Sequence, residues 1–358
     1  VNVGDIKPDE IGMEFFLRMA WDITPWNENA QMTFLTQWAE RDFGNEHATE
    51  IATIMDEFYR LNYGAKPEHL HLTAFSTNYH ELEQRLQHFS DLVKRTDALF
   101  AKLPAEKKDA FYEMVVYPVR GAALANEKNL NPTPEKAQQA FDQLQAETKR
   151  FNEQIAAGKW RHVISANPRN RPALRKPDPE KRALATNAPP ASASAADDTS
   201  IAIEAEKPAR AIAGGGAAWK VIAGLGRTGD SIALLPTTAS VTGDAALEFD
   251  FKSARTGAAK VLLYCIPTHP LNSDHKVRYS VSIDGDAPKE VNLATKEFSK
   301  EWSANVIRGA AIGTTEHTLA KSGKHTLTVR PLDPGLVFDK VVIDLGDLKP
   351  SQLGPPTK

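Results

Sequence analysis

The sequence predicts a multidomain α + β protein in which a helical bundle is followed by an all-β sandwich. Its 358 residues exceed the usual size of a single hydrophobic core. Apolar residues recur with the period of a helix from about Glu10 to Ile164, whereas short alternating segments typical of strands follow Thr199. We therefore expect a bundle at residues 9–165, a linker at 166–199, a sandwich at 200–348 and a tail at 349–358.

Residues 1–8 have a different pattern. Val1 to Asp5 alternate apolar and small polar residues, and the pattern stops at Lys7-Pro8. This pattern predicts one isolated strand, which needs a sheet that its own neighbourhood does not supply. Because the chain begins with Val1 rather than Met, we expect a fragment or a processed product.

Four apolar stripes run through the helical region with i, i+3, i+4 spacing. Breaks at 64–67 and 129–132 are short, which favours antiparallel neighbouring helices around one core. Pro118 lies inside the third stripe, and it should kink or locally end that helix because it lacks a backbone donor. The stripes are Ile51, Ile54, Met55, Phe58 and Leu61; Leu82, Leu86, Phe89, Leu92 and Val93; Phe111, Met114, Val115, Val119 and Ala122; and Phe141, Leu144, Phe151 and Ile155.

The linker prediction depends on composition, because six prolines and a run of Ala and Ser interrupt every apolar period between residues 167 and 198. Its first half is basic, and these side chains either face solvent or lie on a neighbouring acidic surface. Beyond it we predict strands at 201–206, 231–235, 246–251, 260–266, 277–283, 324–329 and 340–343, with no helical crossover of convincing length.

Composition and motifs exclude several classes of protein. The net charge of −3 gives no basic face for nucleic acid and no polybasic patch for a membrane surface. The single cysteine, Cys265, excludes an internal disulfide, and no apolar stretch approaches the roughly 20 residues that a membrane span needs. The ten histidines lack metal-ligand spacing, and no phosphate loop, nucleophile elbow or dinucleotide turn is present.

Several motifs, taken in order, resemble the region that follows the catalytic barrel in glycoside hydrolase family 115. In the helical part these are residues 3–8, 111–119 and 158–160. In the sandwich they are Glu204-Ala205-Glu206 and the segments 224–229, 279–284, 333–335 and 353–356. Each motif alone is weak, but together they cover nearly the whole chain.

The resemblance implies a parent enzyme that removes glucuronic acid, or its 4-O-methyl form, from α-1,2-linked side chains of glucuronoxylan with inversion. Residues 1–8 would then be the remnant last strand of a (β/α) barrel. It further implies glucuronoxylan or its oligosaccharides as partner, a periplasmic or extracellular parent, and a homodimer through the helical domain. The alternative is a stand-alone carbohydrate-binding or scaffold protein.

The family's catalytic acid and base would lie upstream of Val1, so no catalytic residue is assigned in this chain and we expect the isolated chain to be inactive. Barrel active sites lie at the carboxyl ends of strands, which makes Asn2 and Asp5 candidates for substrate binding. Asp5 could instead cap the loop after the strand, and Asn2 could be a buried, satisfied amide. Trp26 could stack on a xylose ring or pack between barrel and bundle.

No cofactor is required, although the sandwich resembles carbohydrate-binding modules that hold a structural calcium ion on the first strand. Glu204, Glu206 and Asp344 are the candidate ligands, and they supply only part of the six to eight oxygens that calcium prefers. Trp219 and Trp302 are the aromatic candidates for a sugar platform on the sandwich, with packing as the alternative.

Overall fold

Two compact units, Val1–Ala191 and Ser192–Lys358, make up the chain. The computed structural model describes residues 7–26, 30–167, 170–186, 199–241, 243–346 and 348–357. The predicted opening strand at Val1 to Asp5 lies outside these residues. No helix among them is long and apolar enough to span a membrane.

The first unit is helical, as predicted. All four predicted stripes are buried or half-buried, and residues of each of them join one core with Phe34 and Trp38. Burial of these stripes is what holds the helices together, since isolated helices of this length are marginal in water. The helices are α1 (Glu10–Trp21), α2 (Ala30–Phe43), α3 (Ala48–Gly64), α4 (Glu81–Lys102), α5 (Ala105–Phe111), α6 (Tyr117–Leu130), α7 (Pro134–Glu153) and α8 (Pro179–Thr186).

The helix that carries Pro118 changes type rather than ending. A π-helical turn, Tyr112–Val116, lies between α5 and α6, and Pro118 occupies the first turn of α6. In an uninterrupted α-helix the missing N–H of Pro118 would leave the Met114 carbonyl without its partner. Single π-helical turns often occur at such irregular positions, so the predicted local break takes the form of this turn.

Part of the predicted linker is folded. Residues 170–186 lie against the carboxyl end of α6, where Lys128 Nζ donates to the Ala173 carbonyl at 2.6 Å. The Arg182 guanidinium donates to the backbone carbonyl of Asn131. Helix ends carry unpaired carbonyls and a partial negative charge, so an arginine there satisfies backbone groups that otherwise lack partners. Arg182 therefore has an intramolecular role, whereas Arg171, Arg175 and Lys176 in the basic first half of the predicted linker are exposed.

The second unit is a sandwich of two antiparallel sheets. The six-stranded sheet has the order β3-β4-β11-β6-β9, with β1 also pairing with β11, and the five-stranded sheet has the order β2-β5-β10-β7-β8. The strands are β1 (Ser200–Glu204), β2 (Arg210–Ile212), β3 (Ala218–Ile222), β4 (Ser231–Leu235), β5 (Ala246–Ser253), β6 (Gly257–Cys265), β7 (Arg278–Ile283), β8 (Lys289–Asn292), β9 (Ala311–Leu319), β10 (Gly323–Pro331) and β11 (Val337–Asp344).

All seven predicted strands are present, β4 with the predicted ends and the others with shifted ends, but β2, β3, β8, β9 and the helix α9 (Lys300–Arg308) were missed. In β9 every second residue is buried, yet three of the inward residues are Gly313, Thr315 and His317. Every second residue of the strand is buried, but the buried residues are not consistently the apolar ones. His317 is satisfied there, since its ring nitrogens lie 2.9 Å from Asp286 Oδ2 and 2.9 Å from Thr315 Oγ1.

Large side chains from both sheets fill the space between them, including Phe249, Tyr279 and Phe338. Cys265 on β6 is buried in this core, as predicted. Burial raises the pKa of its thiol well above the usual range, because the thiolate would lose its hydration. Its thiolate form is therefore disfavoured at neutral pH, which makes Cys265 a packing residue.

We expect Gly226→Ala to lower the free energy of unfolding by about 1–3 kcal/mol, the usual cost of an overpacked site. A Cβ at Gly226 would lie 2.3 Å from the Asp230 backbone oxygen, so backbone must move. Chemical denaturation followed by circular dichroism and tryptophan fluorescence measures the change.

Gly121→Ala is the control, because nothing lies within 4 Å of a Cβ at this position in α6. It should raise stability by up to about 1 kcal/mol through higher helix propensity. Equal effects of the two substitutions would contradict the steric account of Gly226.

Candidate functional site

The predicted barrel-rim residues Asn2 and Asp5 lie outside the described residues, and the description begins at Lys7. Its ammonium pairs with the carboxylates of Glu10 and Glu113 and lies 4.1 Å from the ring centroid of Trp160. Glu10 opens α1, and Glu113 lies on the π-helical turn. The chain directly after the predicted strand is therefore anchored by charge on two helical elements.

The pKa values of two carboxyl groups in this cluster, Glu113 and Asp9, are raised. Burial raises the pKa of Glu113, although the Lys7 ammonium acts in the opposite direction. Burial, with a smaller contribution from Glu10, also raises the pKa of Asp9. Burial lowers the pKa of Lys7, but its bonds to Glu10 and Glu113 outweigh this and the net shift is upward. The ion pairs of Lys7 with Glu10 and Glu113 hold this segment against α1 and the π-helical turn, which indicates an anchoring role.

Trp26, the predicted sugar-stacking residue, packs among core side chains. Its ring centroid lies 5.5 Å from that of Phe15 and 6.2 Å from that of Phe34, and the Arg18 guanidinium lies 5.1 Å from it. Its indole N–H is buried with no partner among the described residues. The packing interpretation accounts for these contacts, and the sugar-binding role stays a prediction. The exposed indole of this region is Trp21, with an exposed fraction of 92%.

The structure places Asp344, one of the three predicted calcium ligands, away from Glu204. In the antiparallel register of β1 and β11, Glu204 pairs with Lys340 while Asp344 pairs with Ser200. Four residues of strand separate the two positions, about 13 Å. Asp344 instead accepts the Gly346 N–H at 2.9 Å.

Glu204 is buried and engaged on all sides. The Thr228 hydroxyl lies 3.1 Å from each of its oxygens, the Thr357 hydroxyl donates at 3.2 Å, and Lys340 Nζ lies 3.8 Å away. A charged lysine opposite a carboxylate takes the place that a cation would fill. Glu204 therefore has a structural role that needs no metal.

Glu206 has a buried carboxylate oxygen, Oε2, with no partner among the described residues. Burial raises the pKa of Glu206, and the carboxylates of Glu204 and Asp230 add to this. No group of three metal-ligating side chains capable of holding an ion was found across the described ranges. The oxygens present fall short of a calcium coordination sphere, so these residues do not fit the predicted site.

A groove between α4, α6 and α7 encloses about 670 Å³. Within it Arg120 binds Asp97 at 3.0 Å and Glu147 at 2.7 Å, and Glu147 also accepts the Tyr112 hydroxyl. An inverting glycosidase needs two carboxyl groups roughly 6.5–9.5 Å apart with room for a water molecule between them. Asp97 and Glu147 are instead bridged by one guanidinium, so this pair does not have that arrangement.

The two candidate indoles of the sandwich differ in their surroundings. Trp219 Nε1 donates to the Ile212 carbonyl at 2.9 Å, and its ring lies 5.9 Å from that of Phe338. Packing accounts for Trp219. Trp302 on α9 lines a cavity and lies 5.2 Å from the ring of Phe298. Phe298 was not singled out from sequence, because nothing in the pattern marks an exposed ring before a short helix.

Two family models match this chain. The model of the glycosyl hydrolase family 115 C-terminal domain matches residues 195–357, and the model of glycosyl hydrolase family 115 matches residues 1–69. The chain belongs to glycoside hydrolase family 115.

A solved structure agrees with the family assignment. It is a family 115 4-O-methyl-α-glucuronidase with specificity for decorated arabinogalactans, 27% identical, with a TM-score of 0.82. The match covers 97% of this chain and 46% of that one, so this family 115 chain spans about half the length of the relative. A family 35 carbohydrate-binding module from Clostridium thermocellum is 15% identical over 40% of this chain and 97% of its own, with a TM-score of 0.30. No curated protein matches the sequence.

Three of the motifs that carried the family 115 resemblance meet in one network. The Arg227 N–H donates to Asp339 Oδ1 at 3.0 Å, and its guanidinium donates to the Gln352 carbonyl. Lys340 Nζ donates to the carbonyls of Leu353 at 3.3 Å and Pro355 at 3.5 Å. Through these bonds the segments 204–206, 224–229 and 353–356 tie the end of the chain to β1 and β11.

Glu206→Gln distinguishes a buried, metal-free carboxyl from a calcium ligand. Because the folded-state pKa of Glu206 is raised, its contribution to stability is present below the unfolded pKa and is lost as pH rises through the folded pKa. Without calcium we expect the amide to raise Tm at pH 7, with the gain vanishing near pH 4. Thermal unfolding at both pH values, with millimolar calcium or with EGTA, measures this.

The matched control is Glu204→Gln, which should lower Tm because it weakens the interaction with buried Lys340. A calcium-dependent rise in the Tm of the wild type that Glu206→Gln abolishes would contradict the metal-free account and support the calcium prediction.

Proposed function

We propose that this chain is the C-terminal portion of a glycoside hydrolase that removes (4-O-methyl-)glucuronic acid from α-1,2-linked side chains of glucuronoxylan, with inversion. The observation that carries the proposal is the match over 97% of the chain to a family 115 4-O-methyl-α-glucuronidase. Similarity at this level extends through both the helical unit and the sandwich. It supports a shared role for the two units within a larger enzyme.

The isolated chain is expected to be inactive. It corresponds to 46% of the relative, and the carboxylates of the groove between α4, α6 and α7 are bridged by Arg120. Glycoside hydrolysis by inversion requires a protonated acid and a separate base on opposite sides of the sugar. In the proposal these groups come from a preceding barrel, with Asn2, Asp5 and Trp26 contributing to substrate binding at its rim.

The proposal has two parts, the sugar that is released and the polymer that carries it. The relative is described as specific for decorated arabinogalactans. A glucuronic acid side group can be carried by either polymer, so recognition of the released sugar and of the backbone are separate questions. Because such polymers lie outside cells, the proposal includes a periplasmic or extracellular parent.

The decisive experiment compares this chain with a longer protein that includes the preceding coding sequence. The longer protein should release 4-O-methylglucuronic acid from glucuronoxylan, and NMR of the first product should show the inverted β-anomer. This chain alone should release none. Chromatography of the released acids with both polymers as substrates measures the outcome.

Two results would contradict the proposal. Release of the uronic acid by this chain alone would overturn its inactivity, and release only from decorated arabinogalactan would overturn the xylan assignment. A start codon directly before Val1, together with glycan binding without hydrolysis, would favour the alternative of a stand-alone carbohydrate-binding or scaffold protein.

The helical unit is proposed to form a homodimer through α1. Leu17 and Trp21 lie four residues apart on this helix and are 63% and 92% exposed, and Ile23 is exposed just beyond its end. Residues at this spacing share one face, and contiguous exposed apolar surface marks interaction sites.

We expect the wild-type chain to sediment as a dimer and Trp21→Glu to sediment as a monomer, because a charge in the apolar contact would be buried without a partner. Analytical ultracentrifugation at micromolar concentrations measures this. Val163→Glu, at another exposed apolar residue of the same unit, is the control and should remain dimeric. A monomeric wild type would contradict the proposal.

A further inference from the structure

A small cavity lies at one end of the sandwich, beside α9. It encloses about 90 Å³ and is lined by the segment 266–270 after β6, by residues 293–295 and Glu297 after β8, and by Trp302 and Asn305 of α9. A water molecule needs roughly 10–15 Å³ measured in this way, so the cavity holds about six. One edge of a sugar ring could replace them while the rest of the ring stays at the mouth.

Phe298 stands beside this cavity in a conformation that packing does not explain. Its ring is 79% exposed, and its backbone lies in the left-handed region with φ of 61°. A bulky residue in that region is strained, and an exposed phenyl ring gains nothing from burial to offset it. The ring lies 5.2 Å from that of Trp302 with an angle of 59° between the planes. Two partly exposed aromatic faces therefore meet at the cavity mouth.

Hydrogen bonds fix the backbone of the helix that carries Trp302. Ser299 caps α9, and its hydroxyl accepts the backbone N–H of Trp302 at 3.1 Å. Asn305, one turn further along, accepts from Arg308 at 2.8 Å through its carbonyl oxygen. A platform held in this way loses little conformational entropy when a ligand binds.

Polar groups around the cavity remain available for a ligand. The His269 imidazole, the Glu297 carboxylate and the Trp302 indole N–H line it, and none of them makes a hydrogen bond within the described part of the chain. Together they supply an acceptor, a donor and a group that can do either. Binding sites for small molecules combine an apolar wall with a few convergent polar groups of this kind.

We propose that this cavity binds one neutral sugar ring of a polysaccharide backbone. The C–H face of a pyranose ring stacks on Phe298, its hydroxyls donate to Glu297, and a hydroxyl at the ring edge accepts from the Trp302 indole N–H. Lys296 and Lys300 lie nearby in sequence but do not line the cavity. The lining carboxylate therefore disfavours a uronic acid, which sets this specificity apart from that of the proposed hydrolysis.

The proposal is tested by titrating this chain with xylohexaose, with a galactan oligosaccharide and with free glucuronic acid. Tryptophan fluorescence and isothermal calorimetry should show millimolar binding of a neutral oligosaccharide and at least about fivefold weaker binding of glucuronic acid, as expected for two like charges in contact. Because no hydrolysis is measured, this result is independent of the enzymatic proposal.

Variants separate stacking from general hydrophobicity. Phe298→Ala should weaken binding about two- to tenfold, the range expected for loss of one aromatic contact, without lowering Tm because the ring is exposed. Phe298→Leu should bind as weakly as Phe298→Ala, because leucine is apolar but has no aromatic face. Val306→Ala, at an exposed residue of the same helix outside the cavity, should bind like the wild type.

Glu297→Gln should reduce the difference in affinity between a neutral oligosaccharide and glucuronic acid. Absence of binding by every neutral oligosaccharide, tighter binding of glucuronic acid, or unchanged affinity in Phe298→Ala would each overturn the proposal.

Discussion

The antiparallel register of β1 and β11 is the constraint on which most of the sandwich depends. β11 pairs with β1, β4 and β6, so its residues are fixed from both sides in the six-stranded sheet. This register sets Glu204 opposite Lys340 and surrounds both with neighbouring segments. A buried lysine and a buried glutamate are each costly alone, and together with their hydrogen bonds they satisfy one another. The C-terminal residues are positioned by the same pair.

In the helical unit the comparable constraint is the continuous helical path from Ala105 to Leu130. Its π-helical turn carries Tyr112, whose hydroxyl donates to Glu147, and Glu113, which pairs with Lys7. Arg120, two turns later, completes the link to Glu147. Apolar packing supplies the core, and these polar contacts link the same helices at its edge. This chain thus carries these polar contacts on an irregular helix.

Sequence periodicity identified the fold class and every large strand whose inward residues are apolar. It failed for β9, where the buried residues are not the apolar ones. It also failed for the proline-rich segment that contains Arg182, because that segment is held by hydrogen bonds to carbonyls distant in sequence. The metal prediction paired Glu204 with Asp344 because strand register cannot be deduced from composition. Phe298 shows the same limit, since its exposure and its contact with Trp302 arise only when the segments at that end of the sandwich come together.

The hydrogen bond between Thr357 and Glu204 joins residues 153 positions apart. Such distant pairings are slow to form, because closing the intervening loop costs entropy before any contact compensates for it. During synthesis the helical unit emerges first and contains its own apolar core, whereas the six-stranded sheet cannot close until β11 has left the ribosome. β1 must therefore wait without its partner strand, which makes its solubility in that interval depend on its short length and on the charge of Glu204 and Glu206.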